Sequence, residues 1–357
     1  MAEEIKISET ELLYDPLFDK KPDVDMKGKE HLPFKIVFIV LISIFVGISL
    51  YLSFYSISTD KYTYKTNDTG FTLYQFNGQE TDKCLFVDYV RNEDGSVDTS
   101  EKVTKVREFA MSCNEYIQFI FIGKDVSEIE PHSFYYTKNL LAVIVDPENE
   151  YYTSVDGVLY NKDMTEIILH PVRNHEYRTA LKMGIQAPTD EDTADTFLHK
   201  FSTKIGDDAE SRTDEISKEI SANASYKIPD TVTKIADSCF SDCEALTYVE
   251  IPSSVKEVGA LAFFKCKGFE TITIPDGVET IGPDGFSYCE NVTYIFIPES
   301  VKTIGHHAFY GCLGCEKIYL AAENEDSIDC AENWLPKQST RSMKDIEAVY
   351  GQERRKG

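Results

Sequence analysis

Apolar positions in the downstream half of the chain repeat with a constant step of 23 residues. The clearest column is an Ile-Pro pair, which returns at Ile228-Pro229, Ile251-Pro252, Ile274-Pro275 and Ile297-Pro298. Further apolar columns and a cysteine column keep the same step. Without its prolines, the same template fits two upstream units, at about 103–120 and 122–145. The sequence therefore predicts an array of six regular repeats.

Each unit predicts one short strand followed by a compact return arm. In the segment LTYVEIP, Val249 and Ile251 point inward while Tyr248 and Glu250 point outward, which is the period of a half-buried strand. Pro252 ends the strand because proline has no N–H for a ladder hydrogen bond. The spacing of apolar residues in the arm favours short turns over a long helix. Such units bury their apolar side only against their neighbours, so the pattern predicts a repeat solenoid with a parallel sheet on one face.

The order Ile-Pro, Val, Ile-Gly, Ala-Phe and Cys within each unit resembles the leucine-rich repeats of BspA-type cell-surface proteins. The irregular unit from Tyr151 to Pro171 is similar to the Asp-Gly-Val-Leu-Tyr hairpin of that family. The resemblance extends over about 99–171 and 226–320. It implies a leucine-rich-repeat horseshoe with irregular or 3-10 return arms, displayed on a cell surface for binding or adhesion and without known catalysis.

A membrane anchor is predicted near the N-terminus. Residues 36–57 carry no charge, and 22 helical residues span roughly 33 Å, enough for a bilayer core. A cleaved signal peptide is the alternative, but the apolar run is longer than an ordinary signal sequence and 35 residues precede it. Four lysines before the run against two after it favour a cytoplasmic N-terminus: Lys21, Lys27, Lys29 and Lys35 against Lys61 and Lys65. We therefore predict a disordered cytoplasmic tail at 1–35, a single transmembrane helix and extracellular repeats.

The repeats are predicted to lie between an N-terminal and a C-terminal cap. Residues 58–98 are predicted to form a linker, at about 58–68, and then an N-terminal cap. Residues 99–171 hold the upstream repeats with the hairpin unit, and 226–320 hold the four downstream repeats. Residues 321–357 are predicted to form a C-terminal cap and tail, in which Trp334 covers the open end of the core.

An acidic insertion at 172–225 separates the hairpin from the downstream repeats. Two amphipathic helices are predicted there, with these residues on their apolar faces: Phe197, Leu198, Phe201 and Ile205 in the first, Ile216 and Ile220 in the second. Insertions in solenoids often carry function. The alternative is a tolerated surface elaboration, because a long loop adds little closure entropy.

The formal net charge of −25 argues against nucleic acid or an anionic membrane surface as a partner, since both require clustered Lys and Arg. Contact with a lipid bilayer is predicted only through residues 36–57. The acidity itself is explained by solubility and self-repulsion.

No catalytic, phosphate-binding or cofactor motif is present in the sequence, so neither an enzyme nor a cofactor is predicted. One cysteine column is predicted to lie inside and bond weakly to turn backbone: Cys243, Cys266, Cys289 and Cys312. Cys315 completes a Cys-x-x-Cys spacing but occupies an apolar column, which predicts core rather than redox chemistry. The remaining candidates for disulfides in an oxidising exterior are Cys84, Cys113 and Cys330. His306-His307 is predicted to be a surface pair without metal, because no third ligand is tied to it by spacing.

The outward side of the sheet is the candidate binding surface. Its predicted residues are Phe119, Phe121, Ile144, Tyr248, Tyr294, Phe296 and Tyr319. Aromatic anchors within a polar surround are typical of binding sites, although neighbouring aromatics also stabilise a sheet by mutual contact. The leading hypothesis is a membrane-anchored surface protein that binds an extracellular protein or glycan. The alternative is a structural or regulatory subunit of a membrane complex.

Overall fold

Residues that are 23 positions apart in the sequence lie side by side in the structure. A computed structural model describes residues 56–204, 213–335 and 346–352. In it, Ile272 pairs with Ile295, and Ile295 pairs with Ile318 of the next coil. The Ile228 N–H donates to the Glu250 carbonyl at 3.1 Å. The predicted leucine-rich-repeat fold is therefore confirmed.

The elements are as follows in chain order. Before the insertion, the strands are β1 Ser56–Ser58, β2 Tyr62–Thr66, β3 Phe71–Phe76, β4 Cys84–Val87, β5 Tyr89–Arg91, β6 Val97–Val106, β7 Phe119–Ile122, β8 Glu128–Ile129, β9 Ala142–Val145, β10 Tyr152–Val155, β11 Val158–Asn161 and β12 Glu166–Leu169. The helices are α1 Asn174–Lys182, α2 Glu191–Lys204 and α3 Asp214–Ala222. The later strands are β13 Ser225–Lys227, β14 Lys234–Ile235, β15 Tyr248–Glu250, β16 Glu257–Val258, β17 Thr271–Thr273, β18 Thr280–Ile281, β19 Tyr294–Ile297, β20 Thr303–Ile304, β21 Lys317–Leu320, β22 Asp329–Cys330 and β23 Glu347–Val349, with a 3-10 helix at Glu325–Ser327.

Each downstream coil contributes to two parallel ladders. The longer strands of the coils lie in three parallel sheets, β4-β7-β9, β13-β15 and β17-β19-β21-β23, which together are called the long-strand ladder here. A second ladder, β14-β16-β18-β20-β22, runs through the return arms and was not predicted. Its strands are only two residues long, which is too short to show a period in the sequence. Ile235 pairs with Val258 and Ile281 with Ile304, so this ladder holds the same 23-residue register.

Aromatic side chains fill the space between the ladders. Phe240, Phe263, Phe286 and Phe309 form a stack with successive centroid distances of 4.9, 4.9 and 5.7 Å. The cysteine column lies beside it, and the Sγ atoms of Cys266, Cys289 and Cys312 each donate at 3.2 Å to the carbonyl of a stacked phenylalanine one coil earlier. These cysteine thiols therefore bond to turn backbone, as predicted.

Both ends of the described solenoid are capped. The predicted linker at 58–68 is wrong, because β1, β2 and β3 form an antiparallel sheet that continues through β6. Tyr64 in β2 is buried, and the Tyr62 ring lies 4.9 Å from Phe76, so aromatic packing outweighs the polar composition. At the other end, Trp334 is buried with its ring 6.2 Å from Phe309, which confirms its predicted place over the core.

No helix among the described residues is both long and apolar enough to span a bilayer. The predicted tail at 1–35 and the predicted membrane helix, up to residue 55, lie outside the described residues. Ser56 and Ile57 belong to strand β1, so the predicted end of the membrane helix at residue 57 is wrong.

Candidate binding face

The outward side chains of the long-strand ladder divide into two surfaces. The upstream strand face consists of Cys84, Phe86, Phe119, Phe121, Ala142 and Ile144, in the register of β4, β7 and β9. The downstream strand face consists of Ser225, Lys227, Tyr248, Glu250, Thr271, Thr273, Tyr294, Phe296, Lys317, Tyr319, Glu347 and Val349. The alternate residues of the same strands point into the solenoid core.

The insertion covers the upstream strand face. Phe119 is fully buried, with its ring 5.3 Å from Phe197 of α2 and 6.2 Å from Tyr177 of α1. Phe121 is 8% exposed and belongs to the same apolar cluster, against which Ile144 packs half-buried. The prediction that these three residues are exposed for a partner is therefore wrong. They form an internal interface between the sheet and the insertion.

A signal for this burial was present in the sequence. The strands of the upstream strand face read CLFV, FIFI and AVIV, with apolar residues on both sides. Such unbroken apolar runs indicate a strand that is covered on both faces. The downstream strands YVE and TIT instead alternate between buried and exposed residues.

The sequence predicts two of the helices that cover the upstream strand face, α2 and α3. The cap of α2 is reciprocal: the Asp190 carboxylate accepts the Thr193 N–H at 2.8 Å, and the Thr193 hydroxyl accepts the Asp190 N–H at 2.9 Å. The Thr213 hydroxyl accepts the Ile216 N–H at the start of α3. Phe197 and Phe201 are buried as predicted for their helical face, while Ile205 lies outside the described residues.

Helix α1 was missed because its sequence, NHEYRTALK, buries polar side chains. The Asn174 amide donates to the Asp156 carbonyl of the hairpin turn at 2.7 Å. The Asn223 amide donates to the Thr179 hydroxyl at 2.9 Å, and Arg178 donates to the Asn223 carbonyl at 2.6 Å. Tertiary hydrogen bonds of this kind leave no periodic apolar pattern. They join the hairpin, α1 and the end of α3 into one unit.

The downstream strand face is uncovered over most of its width. Tyr248 is 39% exposed, and Tyr294 and Tyr319 are half-buried with ring centroids 5.4 Å apart and ring planes inclined by 29°. Phe296 is only 6% exposed, so its predicted exposure is wrong. It lies between Thr273 and Tyr319 in the ladder, and it lines a groove together with residues 351–352.

A lysine–glutamate pair lies at each of the two ends of the downstream strand face. Lys227 bonds to Glu250 at 2.8 Å, and Lys317 bonds to Glu347 at 2.8 Å. Exposed pairs of this kind contribute little to stability because water and salt screen them. They leave a centre of Tyr and Thr side chains between a charged rim on either side.

The hydroxyl of Tyr294 is buried and has no hydrogen-bond partner among the described residues. A buried hydroxyl without a partner costs about 1–3 kcal/mol. Because this oxygen is buried, a ligand could accept its hydrogen bond only if the Tyr294 side chain moved outward.

The buried cysteines have no reactive character. All nine are free thiols, including Cys84, Cys113 and Cys330. Burial raises the pKa of the thiols in the core column, and it raises the pKa of Cys315 to about 11. Cys315 is buried and donates to the Lys317 carbonyl at 3.1 Å, which confirms its predicted core position. Thiols with raised pKa values are poor nucleophiles and poor metal ligands.

A third potential ligand stands beside the histidine pair. Asp284 precedes His307 by one repeat, and one ligand atom from each of Asp284, His306 and His307 lies within 4.8 Å of the others. The prediction that no third ligand accompanies the pair is therefore wrong. A search for ligands one 23-residue step away would have found Asp284.

Comparison with known proteins places the repeats in a family. The family described as "BspA type Leucine rich repeat region" matches in six copies over residues 91–174 and 218–330, more than half of the chain. Most of the insertion lies in the gap between the two matched ranges. A search of curated proteins found no match.

Several solved structures are similar to this chain. The pneumococcal vaccine antigen PcpA is 14% identical over 78% of this chain and 85% of its own, with a TM-score of 0.42. A leucine-rich repeat protein from Eubacterium ventriosum is 16% identical over 71% and 70%, with a TM-score of 0.41. A leucine rich cell surface protein from Faecalibacterium prausnitzii is 15% identical over 76% and 96%, with a TM-score of 0.36.

Proposed function

Because this chain belongs to the BspA-type leucine-rich-repeat family, we propose that it is a surface recognition protein that binds an extracellular protein or glycan. The binding site in this proposal is the downstream strand face, centred on Tyr248, Tyr294 and Tyr319. Phe119, Phe121 and Ile144 are left out of the site because the insertion covers them.

One observation carries the proposal: the aromatic side chains of one ladder are covered by the chain's own helices upstream and left open downstream. Tyrosine supplies a large contact area and a polar end, and it is enriched at sites that dominate binding energy. The paired charges at the ends of the face match the polar rim of a protein interface. These features favour a protein partner, with a glycan as the alternative to be tested.

We also propose that the apolar run anchors the protein in a membrane, with the N-terminus in the cytoplasm. Ending the run at residue 55 still leaves 20 residues, which is about the length needed to span a bilayer. Protease treatment of intact cells tests the topology. We expect digestion of the repeats before lysis, whereas digestion only after lysis would contradict an outside location.

The binding test uses a triple variant of the full chain, Tyr248→Ser, Tyr294→Ser and Tyr319→Ser. We expect at least a tenfold loss of affinity for extracellular matrix proteins, or for members of a glycan array, with retained thermal unfolding. The matched control is Tyr116→Ser, since Tyr116 is also 39% exposed but lies off the downstream strand face. Unchanged binding by the folded triple variant would remove the proposed site.

A further inference from the structure

The last two regular repeats bring a carboxylate and two imidazoles together. Asp284 and His307 occupy the same place in consecutive coils, and both have a left-handed backbone, with φ values of 53° and 55°. The Asp284 N–H donates to the His306 carbonyl at 3.0 Å, which fixes the two coils against each other at this point. The backbone thus sets the spacing of the three side chains, whose ligand atoms lie within 4.8 Å of one another.

We propose that Asp284, His306 and His307 form a binding site for a divalent transition metal ion of the Zn²⁺ class. Zinc is bound by histidine nitrogen and carboxylate oxygen at about 2.0–2.2 Å, which places neighbouring tetrahedral ligands about 3.3 Å apart. The ligand atoms lie within 4.8 Å of one another, so the side chains would have to move closer together to bind the ion. Two nitrogen ligands favour Zn²⁺, Ni²⁺ or Cu²⁺ over Ca²⁺ and Mg²⁺, which prefer oxygen ligands. The fourth position is open to water or to a ligand from a partner.

The three residues come together at one position in the array, between the last two regular coils. In the preceding coils the column of Asp284 and His307 holds Ser238 and Leu261, which cannot form the same set. His132 occupies the corresponding place upstream, where its Nδ1 is hydrogen-bonded to the Ser238 hydroxyl at 2.7 Å. Within the described residues, the three-residue set is the sole group of its kind that combines His, Cys, Asp or Glu at this spacing.

Metal binding would tie the last two regular coils to each other, next to the C-terminal cap. Asp284 belongs to one coil and the histidines to the next, and the His307 N–H donates to the Asn333 carbonyl of the cap at 3.1 Å. A ligand that binds only the folded state stabilises that state by mass action. We therefore expect Zn²⁺ to raise the Tm of the metal-free protein, whereas equal concentrations of Mg²⁺ or Ca²⁺ leave it unchanged.

The test is calorimetric titration of the metal-free full chain with Zn²⁺, alongside the variants His306→Gln, His307→Asn and Asp284→Asn. Asparagine tolerates the left-handed backbone of the last two positions, so these variants retain the fold. We expect one Zn²⁺ site whose affinity falls at least tenfold in each histidine variant and at least threefold in Asp284→Asn. His199→Gln is the control, because His199 is exposed on α2 and remote from the set in sequence.

Thermal unfolding without metal serves to check that each variant is folded. The absorption spectrum of bound Co²⁺ gives a second readout, since nitrogen ligation changes it from that of the hydrated ion. Absence of Zn²⁺ binding by the wild-type chain would overturn the proposal. Wild-type affinity in the folded histidine variants would do the same, because it would assign the bound ion to other groups on this acidic protein.

Discussion

The upstream and downstream strand faces are both outward faces of parallel sheets, but they end up in different environments. Upstream, Phe119 is an outward residue that lies in an apolar core formed with the insertion. Downstream, Tyr248 holds an outward position and is 39% exposed. An outward position in a solenoid is therefore surface only where no other segment of the chain packs on it. The composition of the strand is only a partial guide, because the downstream strand β19, YIFI, is also apolar on both sides.

Removing the ring that seals the upstream strand face should have the largest effect. Phe197→Ala deletes a fully buried ring that contacts Phe119 and Tyr177, so we expect a loss of about 3–5 kcal/mol in the free energy of unfolding. Urea unfolding and hydrogen exchange over 119–122 measure it. Phe264→Ala, at a half-buried ring, is the control and should cost clearly less. Equal costs for the two variants would mean that the insertion does not cover the sheet in solution.

A methyl group added beneath α1 should have the next largest effect. Gly157 has φ +79°, and a Cβ there would lie 2.6 Å from the Cβ of Ala142 and 3.0 Å from the Tyr177 ring. Gly184 has φ +80°, but a Cβ at that position would have no atom within 4 Å, so Gly184→Ala isolates the backbone strain. We expect Gly184→Ala to cost about 1 kcal/mol and Gly157→Ala about 1–3 kcal/mol more. Thermal or urea unfolding gives both values, and a difference near zero would contradict the close packing.

Acid should lower the stability of the contact between the hairpin unit and the downstream repeats, where His170 lies. His170 is buried between the rings of Tyr226 and Phe240, and burial, with a further contribution from the charge of Arg178, lowers its pKa well below the usual range. The unfolded state therefore takes up a proton that the folded state does not. Above about pH 6.5 this has no effect, and as the pH falls below that value stability is lost by at most about 1.4 kcal/mol per pH unit.

His170→Phe keeps a ring of similar shape and removes the titration. The difference in unfolding free energy between the wild-type chain and this variant, measured in urea at pH 7.5 and 5.5, should move in favour of the variant at the lower pH. An unchanged difference would show that His170 is not held neutral. His199→Gln, at an exposed histidine, should leave the pH dependence of the wild type intact.

We expect the smallest loss of stability for a substitution on the downstream strand face. Tyr248→Ser changes an exposed side chain, so the free energy of unfolding should change by no more than about 0.5 kcal/mol. Phe119→Ser, at an outward position of the upstream strand face, should instead cost several kcal/mol because the ring is buried and its replacement is polar. Similar values for the two variants would remove the distinction between the faces.

Much of the fold follows from the sequence because each repeat solves the same local packing problem. The inward columns and the cysteine ladder correspond to a fixed residue type at a fixed step, and the place of Trp334 follows from its position directly after the last unit. The two-residue strands of the return arm and helix α1 were not predictable in this way. Their backbone hydrogen bonds and buried polar contacts depend on neighbours far along the chain, which a local pattern does not contain.

The candidate site was predicted only in part, and the reason is the same. Tyr248, Tyr294 and Tyr319 were identified from alternation, whereas Phe119 and Phe121 were identified by the same rule and lie under α2. Asp284 was overlooked beside His306 and His307 because the ligands are separated along the chain by a full repeat. Strand geometry is local, so the order of residues is enough to assign which side chains face outward from each coil. Which of them meet solvent depends on the folded chain, because a distant insertion packs on one apolar surface and leaves another open.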